Sequence, residues 1–361
     1  MAMTPCARAL LVQALLEPGT TTQLRASGWN ELLIQSRQSG LQAALAARLE
    51  ASGLFAAAPF KVRSQLRAAL IAAESTQTAV RFEIDRIVRA LKGVDTPIVL
   101  LKGSAYVMAG LPAARGRFIG DLDLMVVRER IDAVEQTLLA HGWATAELDD
   151  YDQHFYRAWS HEIPPMQHPE RETPVDIHHS IAQLTSRVHP DAAQLLASAV
   201  PLTAPRLSVL APADMVLHSC VHLINDEVGL PLRDLFDLHD LLLHFGGNPG
   251  FWAQLVERAR LHGFERPLYH MLRQARRLLG TPIPEDVVRA VDAWAPPYLL
   301  LPLMDWLWLR RFTPEPGIRP SRRTALANWL LYLRAHWLRM PPLMLARHLS
   351  FKAWRMARQG N

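Results

Sequence analysis

Between residues 5 and 92 the apolar positions recur at three- and four-residue spacing in an Ala- and Leu-rich background, which predicts a run of helices. Gly53, Pro59 and Gly93 punctuate that run. The pattern changes at Thr96-Pro97. Ile98-Val99-Leu100-Leu101 is a short continuous apolar stretch ending in Lys102-Gly103-Ser104, as a buried strand entering a tight turn would be. Past Gly120, carboxylates alternate with apolar residues in Asp121-Leu122-Asp123-Leu124-Met125-Val126-Val127, the period of a strand. Arg130 to His141 has helical spacing and stops at Gly142. Residues 154–160 and 174–178 read as two more strands around the Pro-rich loop from Ile163 to Pro174. Beyond Pro205 amphipathic helices return at Asp214–Asn225 and Leu232–Phe245, then at 251–262, 266–279, 285–293, 298–311 and 323–339. No repeat of fixed period is present.

These elements predict an α+β protein. A small mixed-sheet core over 96–204 is flanked by an N-terminal helical region, 1–95, and a C-terminal one, 205–361. With 50% of 361 residues hydrophobic, the chain can bury a sizeable core. The two cysteines, Cys6 and Cys220, exclude a disulfide framework or a cysteine-based zinc cluster, and a reducing, cytoplasmic setting is the simplest reading. The short apolar run at 9–16 lacks a cleavage site of small residues, so it does not read as an export signal. The most apolar stretch, Tyr298 to Leu309, is interrupted by Asp305 and falls short of the roughly 20 residues that span a bilayer.

Formal charge is +5, but its distribution matters more. From Leu301 to Asn361 there are eleven Arg or Lys against Asp305 and Glu315, so the preceding 300 residues are net acidic. The high overall pI therefore does not mark a general nucleic-acid binder. No basic helix–hairpin–helix pattern is present either, so no sequence-specific nucleic-acid partner is expected.

Three features of the central region carry chemistry. Gly103-Ser104 directly after a strand would let backbone approach a phosphate, although such turns are common. Asp121-x-Asp123 projects two carboxylates from one face of a strand. Like charges at that spacing repel, and a divalent cation removes the conflict. The bland alternative is an exposed edge strand with solvated aspartates, which the apolar Leu122, Leu124, Val126 and Val127 disfavour. Asp176, in Pro174-Val175-Asp176-Ile177-His178, is a third strand acid. Beside the first two it would complete a cluster able to hold two metals; alone it would be an acid at a sheet edge.

On these blocks the sequence resembles the bacterial "uncharacterised nucleotidyltransferase" family, of the nucleotidyltransferase fold in the DNA polymerase β superfamily. Leu100-Leu101-Lys102-Gly103-Ser104, Arg117-x-x-Gly120-Asp121-Leu122-Asp123-Leu124 and Val175-Asp176-Ile177-His178 carry the likeness, which covers roughly Arg86 to Phe245. The resemblance implies transfer of a nucleoside monophosphate from an NTP, ATP included, to a hydroxyl of a sugar, small metabolite or peptide, with release of pyrophosphate. It implies two Mg²⁺ ions, or Mn²⁺, on Asp121, Asp123 and Asp176, with Asp176 also assisting deprotonation of the acceptor. Gly103 and Ser104 would then hold the β- and γ-phosphates. The 18 positions from Gly103 to Asp121 are more than compact members of the superfamily use. A catalytically inactive nucleotide- or partner-binding scaffold is the alternative, which retention of all three acids argues against.

Around these blocks, Lys102, Arg115 and Arg117 could neutralise triphosphate charge or be surface cations. His178 shares a strand face with Asp176 and could orient it, touch the acceptor, or be a satisfied core histidine. His218-x-x-x-His222 puts two imidazoles on one helix face, more in keeping with packing than with zinc. Arg233 and Asp237 stand four apart on a helix and could pair, or Asp237 could shape the acceptor pocket. Five of the ten tryptophans (Trp306, Trp308, Trp329, Trp337 and Trp354) lie in the basic C-terminal segment. Residues 334–358 there are compatible with a helix on an anionic membrane surface, which would put the protein at the inner face of the membrane. A polyanion site or a helix docked on the core fits as well.

Overall fold

The computed structural model describes residues 9–225, 229–315, 320–341 and 345. Four helices come first: α1 (Leu10–Leu16), α2 (Ala26–Gln38), α3 (Gln42–Ala51) and the 31-residue α4 (Phe60–Ala90). The α+β centre follows, with β1 (Ile98–Leu100), α5 (Lys102–Met108), β2 (Leu122–Met125), α6 (Ile131–Ala140), β3 (Ala144–Thr145), α7 (Asp150–Ala158), β4 (Met166–Gln167), β5 (Val175–His178), α8 (Ala192–Ala197), β6 (Val200–Pro201) and β7 (Leu207–Val209). The chain then returns to helices: α9 (Pro212–Asn225), α10 (Pro231–Phe245), α11 (Phe251–Leu261), α12 (Glu265–Gln274), α13 (Glu285–Asp292), α14 (Leu301–Phe312) and α15 (Arg322–Arg339).

The strands form one mixed sheet in the order β3-β4-β5-β2-β1-β7-β6. One face of its centre is apolar, with Ile98, Leu100, Leu122, Leu124, Val175 and Ile177 buried, while the other sets Val99 and Met125 beside Asp123, Asp176 and His178. β2 runs antiparallel to β1 and parallel to β5, in a register that sets Asp123 opposite Asp176.

One expected strand is a helix. Residues 154–160 lie largely in α7, because Tyr151, Phe155 and Trp159 recur at intervals of four and their rings meet edge-on, Tyr151–Trp159 at 6.3 Å and Phe155–Trp159 at 6.1 Å. The short strands β3, β4 and β6 carry no readable alternation and are defined only by their partners.

One apolar core runs from Leu11 of α1 to Leu331 of α15. Ion pairs tie helices to one another across the fold. Nη2 of Arg48 in α3 donates to both carboxylate oxygens of Asp240 in α10, at 2.8 and 2.9 Å. Arg258 of α11 and Ser198 meet on the fully buried Asp214. Gly116 has φ of +66°, and an added Cβ there would strike the Ala43 carbonyl, so α3 lies against this loop at glycine range. Trp308 is in the core, stacked on Phe312 at 5.5 Å, whereas Trp329 and Trp337 of α15 are exposed. Trp354 lies outside the described residues, as does most of 334–358. No helix among the described residues is long and apolar enough to cross a membrane.

Glu83, in the C-terminal third of α4, is buried and accepts from Trp143 Nε1 (2.7 Å) and Arg171 Nε (2.5 Å), tying α4 to the segments that follow α6 and β4. Removing a buried charge partner strands its cation, at a cost of about 3–5 kcal/mol. Glu83→Ala is therefore expected to lower unfolding stability by about 3 kcal/mol, read from urea titration of tryptophan fluorescence. A change below about 1 kcal/mol would show that this ion pair does not hold α4 in place.

Candidate active site

The site is built on β2 and β5. In a parallel pair, opposed residues project from the same face, so the Asp123–Asp176 register sets two carboxylates side by side. Asp121, two residues before Asp123, joins them, and one oxygen of each acid lies within 4.8 Å of the others. Asp123 is 2% exposed, Asp176 half-buried and Asp121 exposed, so the cluster opens on its Asp121 side.

Lys102 and His178 converge on one oxygen of Asp123. Lys102 Nζ is 2.7 Å from Oδ1 and His178 Nε2 is 3.0 Å from the same atom. The second oxygen, Oδ2, remains for a cation. Lys102 enters α5 with φ of +45°, a left-handed conformation costing a non-glycine residue about 1–2 kcal/mol, and its ion pair holds it there. Burial works against the Asp123 charge, but Lys102 and His178 hold its carboxyl well below the usual range. Asp176 has no such partner. Burial, then the charges of Asp123 and Glu162, push its pKa up to about 7. Asp121 is also raised, by desolvation and by Asp123. Burial disfavours the charged form of His178, and Glu162 and Asp123 overcome it to raise the imidazole.

The donor set suits a hard divalent cation: three carboxylates of mixed exposure, two of them held in a disfavoured ionisation state that a cation would relieve.

Other expected residues have different surroundings. Gly103 lies in the first turn of α5, where an added Cβ would sit 2.8 Å from Ile119 Cδ1 and 2.9 Å from Arg117 Nε. Glycine here makes room for the Arg117 side chain. The Ser104 hydroxyl points inward, 2.7 Å from the Leu101 carbonyl and 2.9 Å from the Asp123 carbonyl, and pins the turn to β2. Arg117 is buried over the Tyr106 ring at 5.5 Å and is ion-paired with Asp237, with Asp234 3.9 Å away. Asp237 thus holds Arg117, while Arg233 pairs with its neighbour Asp234 at 2.9 Å, so the i, i+4 pairing of Arg233 with Asp237 is replaced. The swap follows from Arg117 reaching α10 across the fold, which no local spacing encodes.

Arg115 is exposed and lines, with Arg48, Arg117, Arg233 and Asp240, a cleft of about 150 Å³ on the α3–α10 side; the three acids do not border it. His222 faces Asp234 at 3.8 Å. His218 is buried, and burial followed by the Lys102 charge lowers its pKa well below that of a free imidazole.

Two residues near the acids had no signal in the sequence. His161 and Glu162 precede Ile163, whose N–H donates to the Ile177 carbonyl at 3.1 Å, and His179 N–H donates to the His161 carbonyl at 2.8 Å. This segment bridges antiparallel to β5, which brings Glu162 opposite His178.

A small mixed sheet with three acids on adjacent parallel strands, wrapped by helices, defines the class of the nucleotidyltransferase fold. The chain belongs to the uncharacterised nucleotidyltransferase family, whose model matches residues 25–280, from the start of α2 to just past the helical turn Ala275–Leu279 that follows α12. No curated protein and no solved structure matches it.

The raised Asp176 carboxyl gives a stability prediction with a definite sign. Its folded pKa, about 7, exceeds the roughly 3.9 of an unfolded aspartate, so the native state binds the proton more tightly. Asp176 therefore costs stability increasingly as pH rises from about 4 to 7, and the full cost is present above that. Without divalent cations, Asp176→Asn should melt higher than wild type at pH 8 and at nearly the same temperature at pH 4. Equal melting temperatures at pH 8 would contradict the crowding of the three acids.

Proposed function

We propose that the protein transfers a nucleoside monophosphate from an NTP to a hydroxyl acceptor, releasing pyrophosphate. The observation that carries this reading is the β2–β5 register, with Asp123 and Asp176 paired and Asp121 within 4.8 Å. Asp121, Asp123 and Asp176 would hold Mg²⁺, two ions in this reading, which when bound neutralise phosphate oxygens and acidify the acceptor hydroxyl. The acceptor oxygen attacks the α-phosphorus, forming the new P–O bond as the bond to the β-phosphate oxygen breaks and pyrophosphate departs. Asp176, paired with Asp123 across the two strands, would accept the hydroxyl proton in its ionised form. Lys102 and His178 hold Asp123 ionised and oriented. Arg117 is engaged by Asp237 and Lys102 by Asp123, and Arg115 lines a cleft that the three acids do not border, so of the expected cations Lys102 alone stands at the acids. The acceptor class, a sugar, small metabolite or peptide hydroxyl, belongs to this proposal, as does a site of action inside the cell.

One observation favours a second reading. The Lys102 ammonium on Asp123 supplies part of the charge compensation a metal would, as a non-catalytic nucleotide-binding scaffold requires. The two readings separate on metal dependence. For the enzyme, NTP raises the melting temperature only with Mg²⁺, and Asp121→Asn abolishes the effect. For the scaffold, NTP stabilises the protein regardless of chelator or that substitution.

Turnover is tested with labelled NTPs and a lysate of the protein's own host, following labelled product and pyrophosphate. Asp176→Asn should keep nucleotide affinity and lose at least about a hundredfold in rate. Wild-type rates in that variant would remove Asp176 from the chemistry.

A further inference from the structure

Beside the three acids lies a second ligand set, of which the transfer reaction uses only His178, through its contact with Asp123. One ligand atom of each of His161, Glu162 and His178 lies within 4.8 Å of the other two. His178 is 1% exposed, and its Nδ1 has no hydrogen-bond partner among the described residues; neither has the buried Nδ1 of His161. Two unsatisfied imidazole nitrogens at one place need an explanation, because a buried polar atom left unpaired costs about 1–3 kcal/mol.

The spacing supplies one. His178 Nδ1 stands 3.4 Å from Glu162 Oε2, too far for a good hydrogen bond. With metal–ligand bonds of about 2.0–2.1 Å, two ligands of a tetrahedral zinc ion are about 3.3 Å apart. Two histidines and a glutamate form a zinc donor set that leaves the fourth position open. The segment carrying His161 and Glu162 is clamped to β5 by its backbone hydrogen bonds, so the donors are held by sheet pairing.

We propose that His161, Glu162 and His178 bind one Zn²⁺ ion, distinct from the cations of the three acids. The tautomer of His178 follows. With Nδ1 on the metal, the ring proton must reside on Nε2, which then donates to Asp123 Oδ1 at 3.0 Å. That is the carboxylate–histidine–metal arrangement, in which the carboxylate fixes the ring and the ring fixes the carboxylate. The bound zinc thereby orients Asp123 and acts on the neighbouring site as a positioning element. Lys102, also on Asp123, opposes a nearby cation, while Glu162, Asp123 and Asp176 favour it. The inference stands apart from the transferase reading, sharing with it only the His178–Asp123 contact.

The test uses the full chain stripped of metal. Zn²⁺ affinity is measured by competition with a chromophoric chelator, and Co²⁺ serves as the spectroscopic probe of geometry. Wild type should bind one Zn²⁺ per chain and give the intense visible bands of tetrahedral Co²⁺. Glu162→Gln and His161→Gln should each weaken Zn²⁺ binding by at least about tenfold, with far-UV circular dichroism unchanged. Asp121→Asn, which removes an acid of the other cluster, should leave Zn²⁺ affinity within about threefold. Absence of stoichiometric Zn²⁺ on the wild-type chain overturns the proposal whatever the variants do. So does a loss in Asp121→Asn equal to that in Glu162→Gln, which would put the zinc on the three acids. Failure of nucleotide turnover with zinc binding intact would count against the transferase reading alone.

Discussion

The pairing of β2 with β5 is the constraint on which the site depends. It brings Asp123 and Asp176 together in a partly desolvated place, where two charged carboxylates no more than 4.8 Å apart would repel by at least about 3 kcal/mol at an effective dielectric of 20. Leu122 and Leu124 on one strand and Val175 and Ile177 on the other are almost fully buried. At about 1.5–3 kcal/mol each, their burial exceeds the repulsion. A slip of β5 by one residue would turn Val175 and Ile177 to the opposite face, so the apolar alternation locks the carboxylates in register against their own charge. The remaining conflict is eased unequally. Asp123 has a lysine and a histidine, whereas Asp176 has neither and retains its proton to about pH 7.

The cations are divided with the same economy. Lys102 serves the acid cluster, and Arg117, one loop away, is drawn into the fold by Tyr106, Asp234 and Asp237. Gly103 connects the two arrangements, since a side chain there would push Arg117 and Ile119 aside. The segment from Gly103 to Asp121 is long because it does structural work, carrying Arg117 to α10 and Gly116 to α3.

The central elements were legible because period and burial agree in them. β1, β2 and β5, helix α6 and helices α9 to α15 fall close to where their apolar spacing puts them. The three acids were legible for a related reason: a charge embedded in an apolar strand is anomalous in any sequence, and three such anomalies in order point to one site. α7 was misread because its aromatic residues, taken over seven positions, fit a strand as well as a helix; only the meeting of Tyr151, Phe155 and Trp159 decides it. The two-residue strands at the sheet edges are too short to show a period at all.

The sequence by itself determined a mixed helical and strand architecture, the family, and the acids at Asp121, Asp123 and Asp176, because these follow from local periodicity and residue chemistry. Tertiary structure alone decided which charges meet. Lys102 on Asp123, Arg117 on Asp237, and Glu162 with His161 beside His178 join residues 16 to 120 positions apart. No local pattern records such partners, because ion pairing depends on distance through space, which is set by the packing of the whole apolar core.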